Sequence, residues 1–290
     1  MIKTPSLLTA AFAALTFAAT FCIATSIPGH AFVMGEDDRR ALTDDEAWRF
    51  QSVGIIAAKW SLDDKMRRIG TGVLIAPPGS KRDMVLTTAH NFMNHLTGRP
   101  RANEFFFLTN RGEKIRILGA KLGQSFSSRG KINTAIAPRD WAIGILDRRI
   151  SKRSGSLGIG IVDAKGIAAA RQAHFPMFAV GYDPESRDFR ISDGCVAHLL
   201  RPGTGLIHDC DTKRGWSGGP LILMMDGRPW VVGILTLQVT EKRKRRRNFH
   251  PRRHFNVATP TNTELQRLIR QIGKTGRLSG DNVLRFFDTQ

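Results

Sequence analysis

The stretch Gly215-Trp216-Ser217-Gly218-Gly219-Pro220, running into the apolar Leu221-Ile222-Leu223-Met224-Met225, decides how this chain is read. Acyl transfer needs a serine on a tight turn, with backbone N–H groups aimed where an oxyanion forms. Gly215 can present its N–H beside that of Ser217 with no side chain in the way. Gly218 and Gly219 permit close backbone approach, and Pro220 ends the turn. The same residues satisfy Gly-x-Ser-x-Gly, which in an unrelated class of hydrolases leads from a strand into a helix, with acid and histidine following the serine. Here a proline and a strand-like run follow, and the later His250 and His254 lie in a basic segment, so that esterase-like reading fits less well.

Two upstream segments complete a constellation. In Met84-Val85-Leu86-Thr87-Thr88-Ala89-His90 a β-branched strand delivers a histidine at its end, in a loop where imidazole stays titratable. His95, His174, His198 and His208 lack that delivery and read as surface or satisfied structural groups. In Asp140-Trp141-Ala142-Ile143-Gly144-Ile145-Leu146 a carboxylate opens an almost wholly apolar strand, a costly place unless it is hydrogen-bonded. An imidazole N–H is a natural partner, and it would fix the tautomer that leaves the other ring nitrogen free as a base. Asp147, opening Asp-Arg-Arg at the far end of the strand, reads as a solvated turn.

Working outward, short β-like runs separated by turn residues fill the chain from Val53 onward. Pro77-Pro78-Gly79, Pro184-Glu185-Ser186 and Pro202-Gly203 punctuate them, and Asp226-Gly227 reads as a hairpin turn. Leu265, Leu268, Ile269 and Ile272 stand at helical spacing and predict one late helix over 261–272. Many short strands with few helices point to an all-β barrel or sandwich. Residues 32–49 form a polar lead-in, and 276–290 a short C-terminal tail that Leu284 and Phe286-Phe287 can order.

The first segment differs in kind. Lys3, an apolar stretch from Leu7 to Ile27, and a patch ending Gly29-His30-Ala31 have the layout of an export signal over 1–31. Cleavage after Ala31 is expected, with Ala24 as the second choice and an uncleaved anchor as the alternative. Of the three cysteines, Cys22 leaves with the leader, so Cys195 and Cys210 remain as an even pair in an oxidising compartment. The alternative for them is two buried thiols. The 290 residues carry 44 Lys+Arg against 25 Asp+Glu, a net charge of +19. Such a charge speaks of anionic partners and solubility, not of fold.

The strings TTAH, DWAIGIL and GWSGGP, in that order, resemble the trypsin/chymotrypsin family of serine endopeptidases. They resemble in particular its secreted bacterial branch, which includes glutamyl endopeptidases. His208-Asp209-Cys210-Asp211-Thr212 ahead of the serine and His254-Phe255-Asn256-Val257-Ala258 after it strengthen that likeness, which covers about residues 50–270. The resemblance implies two six-stranded antiparallel β-barrels within 50–275, dividing near 150–175, with a C-terminal helix. It implies peptide-bond hydrolysis through an acyl-enzyme. Ser217 would attack, His90 serve as base and then acid, Asp140 orient the imidazole, and the N–H groups of Gly215 and Ser217 hold the oxyanion. Polypeptides would be the substrates, the protein would act in the periplasm or outside the cell, and neither cofactor nor metal is called for.

Departures from the family pattern bear on specificity and activation. His90 is followed by Asn91, so the disulfide that often braces the histidine loop in animal relatives is missing. Trp216 stands where ammonium-activated relatives carry an aspartate, so that activation salt bridge cannot form. Its bulk beside the nucleophile bears on access to the oxyanion site. Asp211, six residues before Ser217, stands where trypsin-like enzymes pair with a substrate Arg or Lys, although it can equally be structural. Leu235 replaces the histidine of Glu-specific relatives and argues against that preference. Gln238 narrows the pocket mouth, and Thr236 replaces a serine that bonds the catalytic carboxylate, a role its hydroxyl can fill.

Lys242, Arg243, Lys244, Arg245, Arg246 and Arg247 form an unbroken basic block, extended by Arg252 and Arg253. A solvated hairpin tip is the default reading. Docking on an anionic polymer or membrane surface is the functional alternative, with no nucleic-acid module evident. The same block supports the alternative to an enzyme: a catalytically silent protease-fold protein that binds anionic or protein partners.

Overall fold

The computed structural model describes residues 33–60, 65–123, 133–201, 205–240 and 248–286. The leader expected over 1–31 and the basic block 242–247 lie outside the described residues. The main strands are β1 (Arg40–Ala41), β2 (Val53–Lys59), β3 (Met66–Ile75), β4 (Met84–Thr87), β5 (Glu104–Thr109), β6 (Lys114–Leu122) and β7 (Ala142–Leu146). They continue with β8 (Met177–Asp183), β9 (Asp188–Cys195), β10 (Ala197–Arg201), β11 (Gly205–His208), β12 (Pro220–Met225), β13 (Arg228–Thr240), β14 (His254–Pro260) and β15 (Val283–Arg285). The longer helices are α1 (Asp44–Arg49), α2 (Ala164–Gln172) and α3 (Thr263–Thr275). No helix among the described residues is long and apolar enough to cross a membrane.

Strands β2 to β7 pair in the order β6-β5-β2-β3-β4-β7, and pairing of β6 with β7 closes them into a six-stranded barrel. The apolar runs of β4 and β7 follow from burial on both faces. Val85, Ala142 and Leu146 point into the barrel with Leu74, Phe105 and Ile117. Met84, Leu86, Ile143 and Ile145 point the other way. There they share a core with Val180, Ile222 and Ile234 of the second sheet and with Leu265, Ile269 and Ile272 of α3. This shared core fixes how the two sheets sit together.

The second sheet runs β1-β9-β8-β12-β13-β14-β11-β10. It curls without a ladder between β10 and β9 among the described residues, where the sequence reading expected a second six-stranded barrel. The outer edge of β9 is taken instead by β1, with Arg40 opposite Ile191. A disulfide joins Cys195, at the end of β9, to Cys210, just past β11, with Cα atoms 4.7 Å apart. The gap is thus spanned by a covalent link. At the hairpin between β12 and β13, Asp226 and Gly227 have φ of 51° and 69°, the paired left-handed values of a tight two-residue turn.

Helix α3 starts two residues later than the sequence window and ends three later. Asn262 caps it, its side chain accepting from Leu265 N–H at 2.8 Å, and Gly276 ends it with φ of 69°. Beyond it β15 adds to β6, and Phe286 packs on Phe92 and Phe105 of the barrel interior.

Candidate active site

Strands β4 and β7 are antiparallel neighbours, with Thr87 opposite Ala142. The chain leaves β4 into a short turn, Ala89–Asn91, that carries His90, and it enters β7 just after Asp140. Both side chains therefore emerge at the same end of one ladder. Asp140 is fully buried. Its Oδ1 accepts from the His90 backbone N–H at 3.0 Å, and its Oδ2 lies 2.6 Å from His90 Nδ1. Backbone and ring are held by one carboxylate, which orients the imidazole. With the proton on Nδ1, the lone pair of Nε2 stays available, its nearest polar partner being Thr88 Oγ1 at 3.5 Å.

The Ser217 loop is stitched to the barrel that carries His90. Ser217 O accepts from Thr71 N–H at 2.9 Å and from Asn91 Nδ2 at 3.0 Å. Thr71 Oγ1 donates to Gly215 O at 2.7 Å and accepts from Tyr182 N–H at 2.9 Å. Thr87 Oγ1 donates to Thr71 O at 2.7 Å and accepts from Asn91 Nδ2 at 2.9 Å. Thr71, Thr87 and Asn91 thus form a polar hub between the sheets. Sequence reasoning missed that role; its one trace was a threonine between Gly70 and Gly72 inside an otherwise apolar run.

Within the loop the backbone donors divide into two sets. Trp216 N–H binds Lys213 O, Gly218 N–H binds Leu235 O, and Gly219 N–H binds Trp216 O. The N–H groups of Gly215 and Ser217 have no hydrogen-bond partner among the described residues, and neither has the Ser217 hydroxyl. Gly215 and Gly218 have φ of 98° and 88°. A Cβ on Gly218 would fall 2.0 Å from Thr87 Oγ1, so only glycine lets the loop sit on the hub. Trp216 is turned inward and buried, its ring lying over Gly181 and beneath the Arg39 guanidinium. Its bulk is therefore absorbed by the second core while the loop backbone stays open.

A cavity of about 220 Å³ adjoins Ser217, and Thr236 and Gln238 are among its lining residues. Asp211 is not. It is buried away from that lining, where its carboxylate accepts from Met34 N–H at 2.5 Å and Asp38 N–H at 3.0 Å. The lead-in thus forms a strap over the back of the pocket wall. Burial, opposed by these two hydrogen bonds and reinforced by the neighbouring Asp38 carboxyl, pushes Asp211 up to about 7. Thr236 Oγ1 stands 2.9 Å from Ile234 O and 2.8 Å from Thr259 Oγ1, its single proton serving either acceptor, while the oxygens of Asp140 are taken by His90. The hydroxyl contact expected between Thr236 and Asp140 is replaced by a relay, since Thr259 Oγ1 donates to Ala137 O in the turn before Asp140.

His198 is partnered as the sequence suggested, 2.6 Å from Asp209 Oδ2 and stacked on Phe249. His208 differs from the sequence reading. It is fully buried beside the cavity with neither ring nitrogen hydrogen-bonded among the described residues, and burial pushes its pKa down to about 4. The signal that could have found it was its place in the apolar run Leu206-Ile207-His208.

No family model matches the sequence, and no curated protein matches it. Solved structures do. A Glu endopeptidase in complex with MPD superposes with a TM-score of 0.57 at 16% identity, over 84% of this chain and 99% of that one. The protease Anisep from Arthrobacter nicotinovorans gives 0.56 at 14% identity, over 81% and 99%. A thermostable serine protease, AL20, from an extremophilic microorganism gives 0.56 at 15% identity, over 79% and 99%. At these identities the likeness is one of fold: the chain has the trypsin-like serine protease architecture.

Proposed function

We propose that this protein is an exported serine endopeptidase acting through Ser217, His90 and Asp140. The observation that carries the proposal is the pairing of two features across the sheet boundary. One is a buried carboxylate that grips a histidine ring at Nδ1 and at its own backbone N–H. The other is a serine loop whose Gly215 and Ser217 N–H groups are left unpaired while its other donors are used. Both N–H groups belong to part-exposed residues of the loop beside the cavity that Ser217 lines, where a bound ligand can reach them. Two unpaired N–H groups beside a free hydroxyl are what a developing oxyanion needs.

In this mechanism Ser217 Oγ attacks the scissile carbonyl and passes its proton to His90 Nε2. The imidazolium is stabilised by Asp140, and the tetrahedral oxygen takes the N–H groups of Gly215 and Ser217. The imidazolium then protonates the leaving amine, and water repeats the sequence to release the acid. The Ser217 hydroxyl has no hydrogen-bond partner among the described residues, and catalytic contacts of this kind commonly tighten on binding. Among the described residues no carboxylate lines the cavity beside Ser217. The pocket therefore suits a neutral side chain at the cleaved residue over Lys or Arg, and Leu235 in its lining argues against Glu. Export accords with the leader-like first segment and the Cys195–Cys210 disulfide.

A fluorophosphonate probe tests the assignment. It should label the purified mature protein once, at Ser217, and Ser217→Ala should lose both labelling and cleavage of a peptide library. Cleavage that persists in Ser217→Ala would remove the serine from the mechanism, and strict cleavage after Lys or Arg would overturn the reading of the pocket.

A further inference from the structure

A second cavity, of about 390 Å³, lies where the chain after α3 folds against the first barrel, and it shares no lining residue with the site at Ser217. Three arginines line it: Arg82 from the loop before β4, Arg277 just past α3, and Arg285 on β15. Its remaining walls are largely aliphatic, from Leu118, Ile145 and Leu278. Gly119 lets β15 close the wall, because a Cβ there would stand 2.5 Å from Leu284 O.

Among the described residues the charge in this cavity is uncompensated. Arg82 Nη1 donates to the Asp147 carbonyl at 2.7 Å, which holds that guanidinium in place without neutralising it. Among the described residues the guanidinium groups of Arg277 and Arg285 have no partner, and no carboxylate lines the cavity. The end of α3 lies beside it, and a helix C-terminus alone would disfavour an anion. Two of its last four carbonyls are already engaged: Ile272 O accepts from Gly276 N–H at 2.7 Å, and Gly273 O from Lys81 N–H at 2.9 Å.

We propose that this cavity is a binding site for a phosphate-bearing ligand. The planar fork of arginine pairs two N–H groups with two oxygens of one anion, so three such forks suit a tetrahedral group with several oxygens. The aliphatic walls accept a short apolar substituent on that phosphate, the geometry of a phosphate ester. A chain of net charge +19 also draws anions toward its surface. The ligand can be a soluble ester or the headgroup of a lipid. The site does not depend on the activity at Ser217.

The test uses the mature protein carrying Ser217→Ala, so that self-cleavage cannot interfere. Binding of glycerol 3-phosphate and of inorganic phosphate is followed by calorimetry near physiological salt. Saturable binding is expected, weakened about tenfold or more by Arg277→Ala/Arg285→Ala. It should be unchanged by Arg171→Ala/Arg228→Ala, which removes the same charge from exposed positions on the second sheet and α2. Sedimentation with phosphatidylcholine vesicles, with and without phosphatidic acid, separates the sources. Co-sedimentation that needs both phosphatidic acid and the cavity arginines identifies a headgroup; binding of glycerol 3-phosphate alone identifies a soluble ester. No saturable binding to either probe or to the vesicles, or equal weakening in the two double variants, would overturn the proposal.

Discussion

Replacing Asp211 by Asn should destabilise the protein in acid and stabilise it in mild alkali. Asp211 is buried and accepts two backbone N–H groups from the strap, yet its pKa is raised from 3.8 to about 7 because burial and the Asp38 carboxyl outweigh those bonds. The folded state therefore holds the proton more tightly than the unfolded chain does. Its contribution to stability is fully present below about pH 4 and is lost as pH rises through about 7. The full span corresponds to at most about 4 kcal/mol. Asp38 is raised by burial too, so the two carboxyls titrate together; Ser192, Asp193, Asp37 and Arg39 are the other polar or charged groups facing them. Asn carries no charge at any of these pH values, but its amide NH₂ must face one of the two strap donors, a cost of about 1–3 kcal/mol. Urea unfolding of wild type and Asp211→Asn between pH 4 and 8, both with Ser217→Ala, gives the difference directly. Titrating groups away from the Asp211–Asp38 pair, His208 among them, cancel in that subtraction, which therefore reads the pair. The variant should be weaker at pH 4, with the gap closing and reversing toward pH 8. Parallel curves would show that Asp211 is not the proton-linked anchor of the strap.

Two further substitutions probe the site and its frame. Gly218→Ala should abolish fluorophosphonate labelling and lower the melting temperature, because the new methyl would meet Thr87 Oγ1 at 2.0 Å and Thr71 O at 2.2 Å on a backbone with φ of 88°; labelling at the wild-type rate would show that the loop does not rest on the hub. Cys195→Ser/Cys210→Ser removes a crosslink between residues 15 apart in sequence and should cost roughly 3 kcal/mol in urea unfolding; an unchanged midpoint would mean that ladder pairing alone holds the open side of the second sheet.

How much of this was legible in sequence depended on how far apart the interacting residues lie. His90 and Asp140 could be read because each sits at the end of an apolar strand, and those two strands turn out to be ladder neighbours. The Ser217 loop could be read because positive φ leaves its mark as glycine. Thr71 could not, since its partners at Thr87, Tyr182 and Gly215 stand 16, 111 and 144 residues away. Only the approach of the two sheets makes it a hub. The strap was read as a polar lead-in because its pairing with β9 and with Asp211 spans more than half the chain.

Asp211 and Thr236 show where positional reasoning stops. Each sits at a fixed offset from a recognisable motif, and offset fixes where a Cα lies along the chain. It does not fix which way the side chain turns, since that depends on what else can reach it. Two strap N–H groups meet Asp211 on the side away from the cavity, and a buried carboxylate goes to the donors that satisfy it. Thr236 is likewise taken by Ile234 O and Thr259, while His90 already holds both oxygens of Asp140. The Ser217 loop constrains itself, because its glycines and the N–H groups they aim are adjacent in sequence. A pocket floor and a second contact to a buried acid are set by whichever distant donor arrives, and here one of those donors is a segment that precedes the first barrel.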